Sequence, residues 1–583
     1  MTELNRRDFL RLAAAMGATL AFGCSHQPSR QRIAWTERRD LYPQGVASGD
    51  PDANSVLLWT RRPYDDGRAD AQLDLEVASD PAFENLAATQ RVRIAPDADW
   101  TCRVLVAGLE PASEYFYRFT DDSGAGSRVG RTLTAPTDDD ARPVKFAFVS
   151  CQNIQEGAQN GYRRMIWEDQ RAAPADRIGF VLHLGDFVYE VVQYEEDYKP
   201  GGRYTRRMRF PFRYASGKKV ADRFWVPTTL ADYRLLYNEY LKDPDIQDAR
   251  AHFPFVCMWD NHEFSWQGWQ SITPFGAESF PGQTLKVFAN QVWFEMIPAR
   301  VSPPGGSLER FVAPEVKDVV VETFDDNGLG TEPNNLVAIN SLIAYRSLRW
   351  GRHVDLILTD QHSFRSFDPT SREEATPSYS PEFMGFYDEE ISRVIDAGRA
   401  YDGGNPPATM TYDGKTFDNF RKNEAPQTIL GVTQKAWFLD KLRTSQATWK
   451  VWGNSQGALD WRIDPQNLPE GIFPKPWPGG YASYGTGDWG TAYHERGEIY
   501  DTVRDNGITG FAIVSGDRHQ FWAGYAAKDL PPRKFEPVGV SFVVGSLSSV
   551  NTGEALEKAL KDNPARALFM TDIDRTPIEP SIN

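Results

Sequence analysis

The sequence holds little of what disulfide scaffolds and zinc sites are built from. Its four cysteines, Cys24, Cys102, Cys151 and Cys257, are too few in 583 residues for a disulfide framework. Eight histidines give no His-rich zinc motif. Positive charge is scarce as well: 64 Lys and Arg against 80 Asp and Glu leave a net charge of −16. Such a surface repels polyanions, so no nucleic-acid partner is expected, while a few cations in a pocket can still admit a small phosphate ester. No repeat is found. What remains, 41% hydrophobic and 25% charged residues, is the composition of a globular protein long enough for two or more cores.

The apolar run Leu12 to Phe22 is about half of the ~20 residues that a membrane-crossing helix needs. It follows Asn5-Arg6-Arg7-Asp8-Phe9-Leu10, and paired arginines before a modest apolar region have the pattern of a twin-arginine export signal. An amphipathic first helix is the rival reading, but arginines at a helix start oppose its dipole. Residues 1–26 are therefore expected to address the chain to the twin-arginine translocase and a periplasmic or cell-envelope location. Cys24 follows Ala21-Phe22-Gly23, which resembles a loose lipobox. A lipid anchor at Cys24 and plain cleavage nearby, giving a soluble product, both stay open.

From residue 42 to 137 the chain reads as short strands between turn residues, among them Ser55 to Thr60, Leu73 to Ala78 and Cys102 to Val106. Leu109 to Tyr117 resembles the tyrosine-corner approach of fibronectin-type sandwiches. A small fibronectin- or Ig-like β-sandwich is expected here, with Cys102 buried, followed by a polar linker at Thr134 to Asp140.

The pattern changes over residues 144–570. Six apolar runs each end in a polar cluster: Phe146 to Val149 before Ser150-Cys151, Ile178 to Leu184 before Gly185-Asp186, and Phe253 to Trp259 before Asp260-Asn261-His262-Glu263. The others are Val354 to Leu358 before Thr359-Asp360-Gln361-His362, Trp449 to Trp452 before Gly453-Asn454, and Phe511 to Val514 before Ser515-Gly516-Asp517-Arg518-His519. Near-continuous apolar strands are buried on both faces, as in α/β sheets, and ligands collect at their carboxyl ends. The six are expected to deliver their polar residues to one edge. A helix is expected over Val432 to Leu442. The aromatic and basic stretch 194–227 reads as an insertion beside the site, and 303–306 and 474–487 as loops.

Gly185-Asp186-Phe187-Val188-Tyr189 places a carboxylate and a phenol just past a strand. A phenol, with a reference pKa of about 10, becomes a ligand only beside a strongly Lewis-acidic ion such as Fe³⁺. Alone, Tyr189 reads as a packed aromatic and Cys151 as a small buried residue. Together with Asp186 and His519 they make a set whose three negative charges balance a trivalent ion. Asn261 and Asp517 offer oxygens that suit a hard ion such as Ca²⁺, and His519 a nitrogen that suits iron. A helix N-cap is the bland reading of Asp260 to Glu263.

Asp186, Tyr189, Asn261-His262-Glu263 and Asp517-Arg518-His519, in this order, resemble the metallophosphoesterase superfamily. Ser150-Cys151, His183 to Glu190, Trp259 to Glu263 and the amino-terminal stretch Tyr42 to Pro51 look like its alkaline phosphatase D family, and the resemblance runs from about Tyr42 to Gly545. It implies an α/β metallophosphoesterase core of stacked β-sheets flanked by helices, behind the small sandwich. It also implies Fe³⁺ held by Cys151, Asp186, Tyr189 and His519, and Ca²⁺ held by Asp186, Asn261 and Asp517, with Asp186 bridging. Arg365 would grip the phosphate, and His262 would contact it or protonate the leaving oxygen. The implied reaction is hydrolysis of a small phosphate ester by a metal-bound hydroxide; a monomer is expected. Two departures stand out: His362 sits where relatives commonly show arginine, and Phe264 to Trp269 is aromatic where many have Asn. Two rivals are weighed. A phosphodiesterase or phospholipase D-like activity on envelope lipids or polymers would suit the aromatic lips around Trp266 and Trp269. A non-catalytic calcium-stabilised binding protein would not explain a thiol, a phenol and His262 at one edge. Replacing Arg6 and Arg7 by Lys is expected to strand the precursor in the cytoplasm, as measured by cell fractionation; normal export would defeat the twin-arginine reading.

Overall fold

The computed structural model describes residues 20–22, 34–197, 212–275, 278–380, 385–467, 477–485, 487–551 and 553. The fold is mixed α/β, with several sheets. All six apolar runs form strands, but in two sheets and not one. Phe146–Val149, Phe180–Leu184 and Pro254–Met258 lie side by side and parallel in the first. Val354–Leu358, Trp449–Gly453 and Phe511–Ser515 do so in the second, which continues into Pro537–Val543 and the edge strand Trp522–Ala527.

Side-chain alternation explains why these runs are apolar throughout. Leu356, Leu358, Val451 and Val514 share one core with Leu182, Leu184 and Met258 of the first sheet. Their neighbours Ile357, Trp452 and Ile513 point the other way, into a core with Phe438, Leu442, Ile499 and Tyr500 of the helices Gly431–Thr444 and Tyr493–Asp505. A strand buried on both faces has no solvent side to mark with polar residues. Helices Asn160–Arg171, Leu230–Tyr240, Pro244–His252 and Gln283–Met296 contribute to the first core through Tyr162, Tyr233, Ile246 and Trp293.

The amino-terminal stretch is joined to this frame through the backbone. Strand Val46–Asp52 pairs antiparallel with Ser55–Arg61 and parallel with Pro254–Met258. The first sheet therefore runs without a break from Thr101–Ala107 to Phe146–Val149. Gly49 lies at the seam, where a Cβ would come within 1.9 Å of the Pro298 carbonyl oxygen. A second amino-terminal sheet, with Ala71–Ala78, Leu86–Ile94 and Glu114–Asp121, shares a core with the first that includes Val56, Leu58, Cys102, Leu75 and Tyr117. The Tyr115 hydroxyl accepts from the Glu110 amide at 2.9 Å, the contact a tyrosine corner makes.

Some stretches differ from expectation. Within the insertion, Lys218–Val220 and Phe224–Val226 form a hairpin, because alternating apolar residues pack Val220, Phe224 and Val226 against Trp266; residues 198–211 lie outside the description. Ala482–Tyr484, expected in a loop, is a strand of a small sheet with Phe386–Asp388 and Arg462–Ile463. Apart from 20–22, a short strand beside Thr101–Ala107, the export segment and Cys24 lie outside the described residues, as do 554–570 of the expected catalytic region. Among the described residues no helix is long and apolar enough to cross a membrane.

Asp50 fastens the seam. It is fully buried, accepts from Arg346 Nε at 2.7 Å and Nη2 at 2.9 Å, and also accepts from the Arg300 amide at 2.6 Å. Arg346 begins the strand Arg346–Trp350 of the second sheet, so one carboxylate ties three segments. Asp50→Ala leaves the largely enclosed Arg346 guanidinium uncompensated and is expected to destabilise the protein by about 3–5 kcal/mol, read as a lower urea midpoint; a change within 0.5 kcal/mol would mean the joint carries no weight.

Candidate metal centre

Each core strand stops where the chain must turn sharply, and the polar residues sit in those turns. Cys151, Asp186, Asp517 and His519 have φ of +58°, +55°, +64° and +53°. For residues other than glycine this left-handed conformation costs about 1–3 kcal/mol each and persists only when the surroundings enforce it. They do so here. The amides of Cys151 and Gln152 donate to the carbonyls of Gly185 and Asp186 at 3.2 and 3.0 Å. Ser549 Oγ donates to the Cys151 carbonyl at 3.0 Å. Gly185 permits a close approach: a Cβ there would lie 2.5 Å from Asp260.

The expected donors converge. Cys151 Sγ, an Asp186 oxygen and a His519 ring nitrogen lie within 4.8 Å of one another, as do oxygens of Asp186, Asp260 and Asp517. The Tyr189 hydroxyl is 3.0 Å from Asp186 Oδ2, to which it donates, and 3.2 Å from His519 Nε2. His519 Nδ1 donates to the Val550 carbonyl at 2.7 Å, which turns Nε2 to the cluster. Asn261 lies in the same turn as Asp260 and His262, and its carbonyl accepts from the Ser265 amide at 2.7 Å. The acidic member that joins Asp186 and Asp517 is its neighbour Asp260.

Crowding sets the protonation. Burial lifts the Asp186 carboxyl well above the usual range, with Cys151, Asp260 and Glu263 adding and His262 opposing. Burial, then Asp260 and Asp488, pushes Asp517 up to about 7, and burial, then Asp517, pushes the Cys151 thiol up to about 12. The donor set fits a metal centre. A thiol, a phenol, an imidazole nitrogen and three carboxylates meet, and Asp260 Oδ2 is buried without a hydrogen-bond partner. A cation among them would favour the ionised forms that burial disfavours.

Residues the sequence reading left without a role hold these donors in place. Glu263 is no helix cap: 261–264 is a turn. Its carboxylate accepts from the amides of Asp186 at 3.0 Å and Asp260 at 2.7 Å, and from that of Phe187. Asp260 Oδ1 accepts from His362 Nε2 and, at 2.8 Å, from Ser455 Oγ. His362, flagged as a departure, therefore orients an acidic group. Glu190 Oε2 accepts from His262 Nδ1 at 2.7 Å. Burial opposes charge on His262, but Glu190 and Asp186 outweigh it and the pKa is pushed up to about 9. Arg365 is buried and donates to the Gly487 carbonyl at 2.7 Å. Burial depresses its pKa, opposed by Asp368, Asp260, Asp488 and Asp517. Asp260, Glu190 and Glu263 lay within the motifs that carried the resemblance, but nothing in those motifs marked what each side chain meets.

A pH dependence follows for the metal-free protein. Asp517, raised from 3.8 to about 7, binds its proton more tightly folded than unfolded, so its contribution is present at low pH and lost as pH rises through about 7. His262, raised from 6.5 to about 9, loses its contribution between those values, in the same direction. Chelator-treated protein is expected to melt at a higher temperature at pH 5 than at pH 9, and a divalent cation should narrow that gap; a metal-free protein more stable at pH 9 would contradict it.

Comparison with known proteins places the chain in a family. Residues 146–576 match the family model described as PhoD-like phosphatase, and residues 26–136 match that of the PhoD-like phosphatase N-terminal domain. Alkaline phosphatase D of Bacillus subtilis (strain 168) is 25% identical over 585 residues, covering 97% of this chain and 80% of that protein. A solved structure described as the structure of PhoD superposes with a TM-score of 0.61 at 22% identity, covering 92% of this chain and 83% of the other. With a family model spanning more than half of its length, the chain belongs to the PhoD-like phosphatase family.

Proposed function

We propose that this chain is an exported alkaline phosphatase that hydrolyses phosphate mono- or diesters at an Fe³⁺/Ca²⁺ centre. The observation that carries the reading is the meeting of Cys151, Asp186, Tyr189 and His519 in one cluster, with Asp186 shared by a second, all-carboxylate group. Thiolate, phenolate and imidazole suit a trivalent iron, whereas Asp260, Asp517 and Asn261 offer the oxygens a calcium ion takes. Bound metal ions would supply Lewis acidity, acidifying water and neutralising charge on the phosphoryl group.

The chain's own residues do the rest. Arg365 would hold a phosphoryl oxygen by a charge-assisted contact. With Nδ1 committed to Glu190, His262 Nε2 is the atom that would protonate the leaving oxygen. Burial of both groups excludes water and strengthens each contact. We read the two sheets with their helices as the metallophosphoesterase core, and the amino-terminal sheets as a sandwich fused to it. The paired Arg6 and Arg7 support export.

The test is hydrolysis of an aryl phosphomonoester and the matching diester by wild type and Tyr189→Phe, read with iron content and visible spectrum. Wild type is expected to be coloured through phenolate-to-iron charge transfer, inactivated by a calcium chelator and restored by Ca²⁺. Tyr189→Phe should lose the band and the activity while keeping the fold. A colourless, iron-free and fully active protein would remove the iron assignment; a metal-replete protein that cleaves neither ester would remove the phosphatase reading.

A further inference from the structure

Beside the site runs an aromatic strip that the chemistry above does not use. The Trp266 ring lies parallel to His262, with centroids 6.3 Å apart and planes at 15°. Three residues on, Trp269 stacks on Phe324 at 5.9 Å and 20°, and meets Phe367 at 5.5 Å. Trp269 is buried, but Phe324 and Phe367 remain 41% and 43% exposed. Phe367 is two residues from Arg365, and the Gly268 carbonyl, one residue before Trp269, is 3.1 Å from His362 Nδ1. The exposed rings thus flank the segment assigned to the phosphoryl group.

One side chain fixes the strip to that segment. Gln270 is fully buried, and its amide donates to the His362 carbonyl at 2.8 Å. Its Nε2 donates to the carbonyls of Arg365 at 2.9 Å and Gly328 at 2.8 Å, and its Oε1 accepts from the Gly330 amide at 2.9 Å and Asn335 Nδ2 at 3.0 Å. The loop that carries Phe324 is closed by a bridge between Phe324 and Gly330, and by Asp325 Oδ1, which accepts from the Leu329 amide at 3.0 Å. Two exposed rings, Phe324 on a pinned loop and Phe367 just after Arg365, backed by a buried indole, make a preformed apolar platform next to a polar anchor, the arrangement of a ligand subsite.

We propose that Phe324, Phe367 and Trp269 form a subsite for an alkyl or aryl group on the alcohol side of the ester, so that the enzyme prefers esters of apolar alcohols dissolved in water. The assignment rests on the phosphoester reading above. With the phosphorus anchored near Arg365, each methylene leaving water over the rings adds free energy only where the platform receives it.

The experiment compares kcat/KM for straight-chain alkyl phosphates from methyl to octyl, each as monoester and as methyl diester, in wild type, Phe324→Ala/Phe367→Ala and Phe324→Leu/Phe367→Leu. Wild type is expected to gain roughly two- to fourfold per methylene over the first few carbons. The double alanine variant should lower the octyl-to-methyl ratio by about tenfold or more, while the double leucine variant, which keeps apolar area, should retain most of it. A flat series in wild type, or an equal loss at every chain length in the alanine variant, would overturn the subsite. Turnover confined to long-chain esters embedded in neutral lipid vesicles would also overturn it, in favour of a face that docks on membranes. Hydrolysis of no ester in either series, by metal-replete wild type, would strike the phosphoester reading itself.

Discussion

Groups that each gain a negative charge on losing a proton, Cys151, Asp186, Asp260 and Asp517, meet at the mouths of two sheets, and their repulsion in a dry setting is the constraint around which the rest of the structure is arranged. Left to itself, such a cluster would stay protonated or pull apart. It is held together from behind. The turns that carry the donors adopt left-handed backbone, stabilised by hydrogen bonds between neighbouring turns, and Glu263 gathers amides from two of them onto one carboxylate. The strain is distributed over several turns and supported by strands buried on both faces.

The outer residues aim what the turns present. Val550 fixes His519, His362 and Ser455 fix Asp260, and Glu190 fixes His262. In metal sites such second contacts set both the orientation and the basicity of the donors. The aromatic segment Phe264 to Trp269 belongs to the same scheme. It links the turn that carries Asp260 to His362 through the Gly268 carbonyl and to Arg365 through Gln270. A change in this segment therefore reaches the Arg365 segment and the acidic cluster together.

The amino-terminal stretch is more than an appended module. Its strand Val46–Asp52 supplies the hydrogen-bonding edge beside Pro254–Met258, directly before the turn that carries Asp260, Asn261 and His262. Asp50 extends the link to the second sheet through Arg346. Two family models divide the chain near residue 140, yet the backbone hydrogen bonds of one sheet cross that division.

The sequence by itself determined the six core strands and the turn residues that follow them, because an apolar run ending in a polar cluster is a local pattern. It also placed Cys151, Asp186, Tyr189 and His519 in those turns, and the helix after residue 430. Tertiary structure alone decided that the strands divide three and three between two sheets, since strand pairing is chosen by partners far apart in the chain. It decided that Asp260, read as part of a polar cluster after a strand, joins Asp186 and Asp517, and that Glu263 is a staple. Gln270 carries no sequence mark at all, and its role exists only where the segments around 330 and 365 come together. Local periodicity is written in neighbouring residues. The direction of a side chain in a turn, and what it meets there, is fixed by packing between segments that the chain order keeps apart.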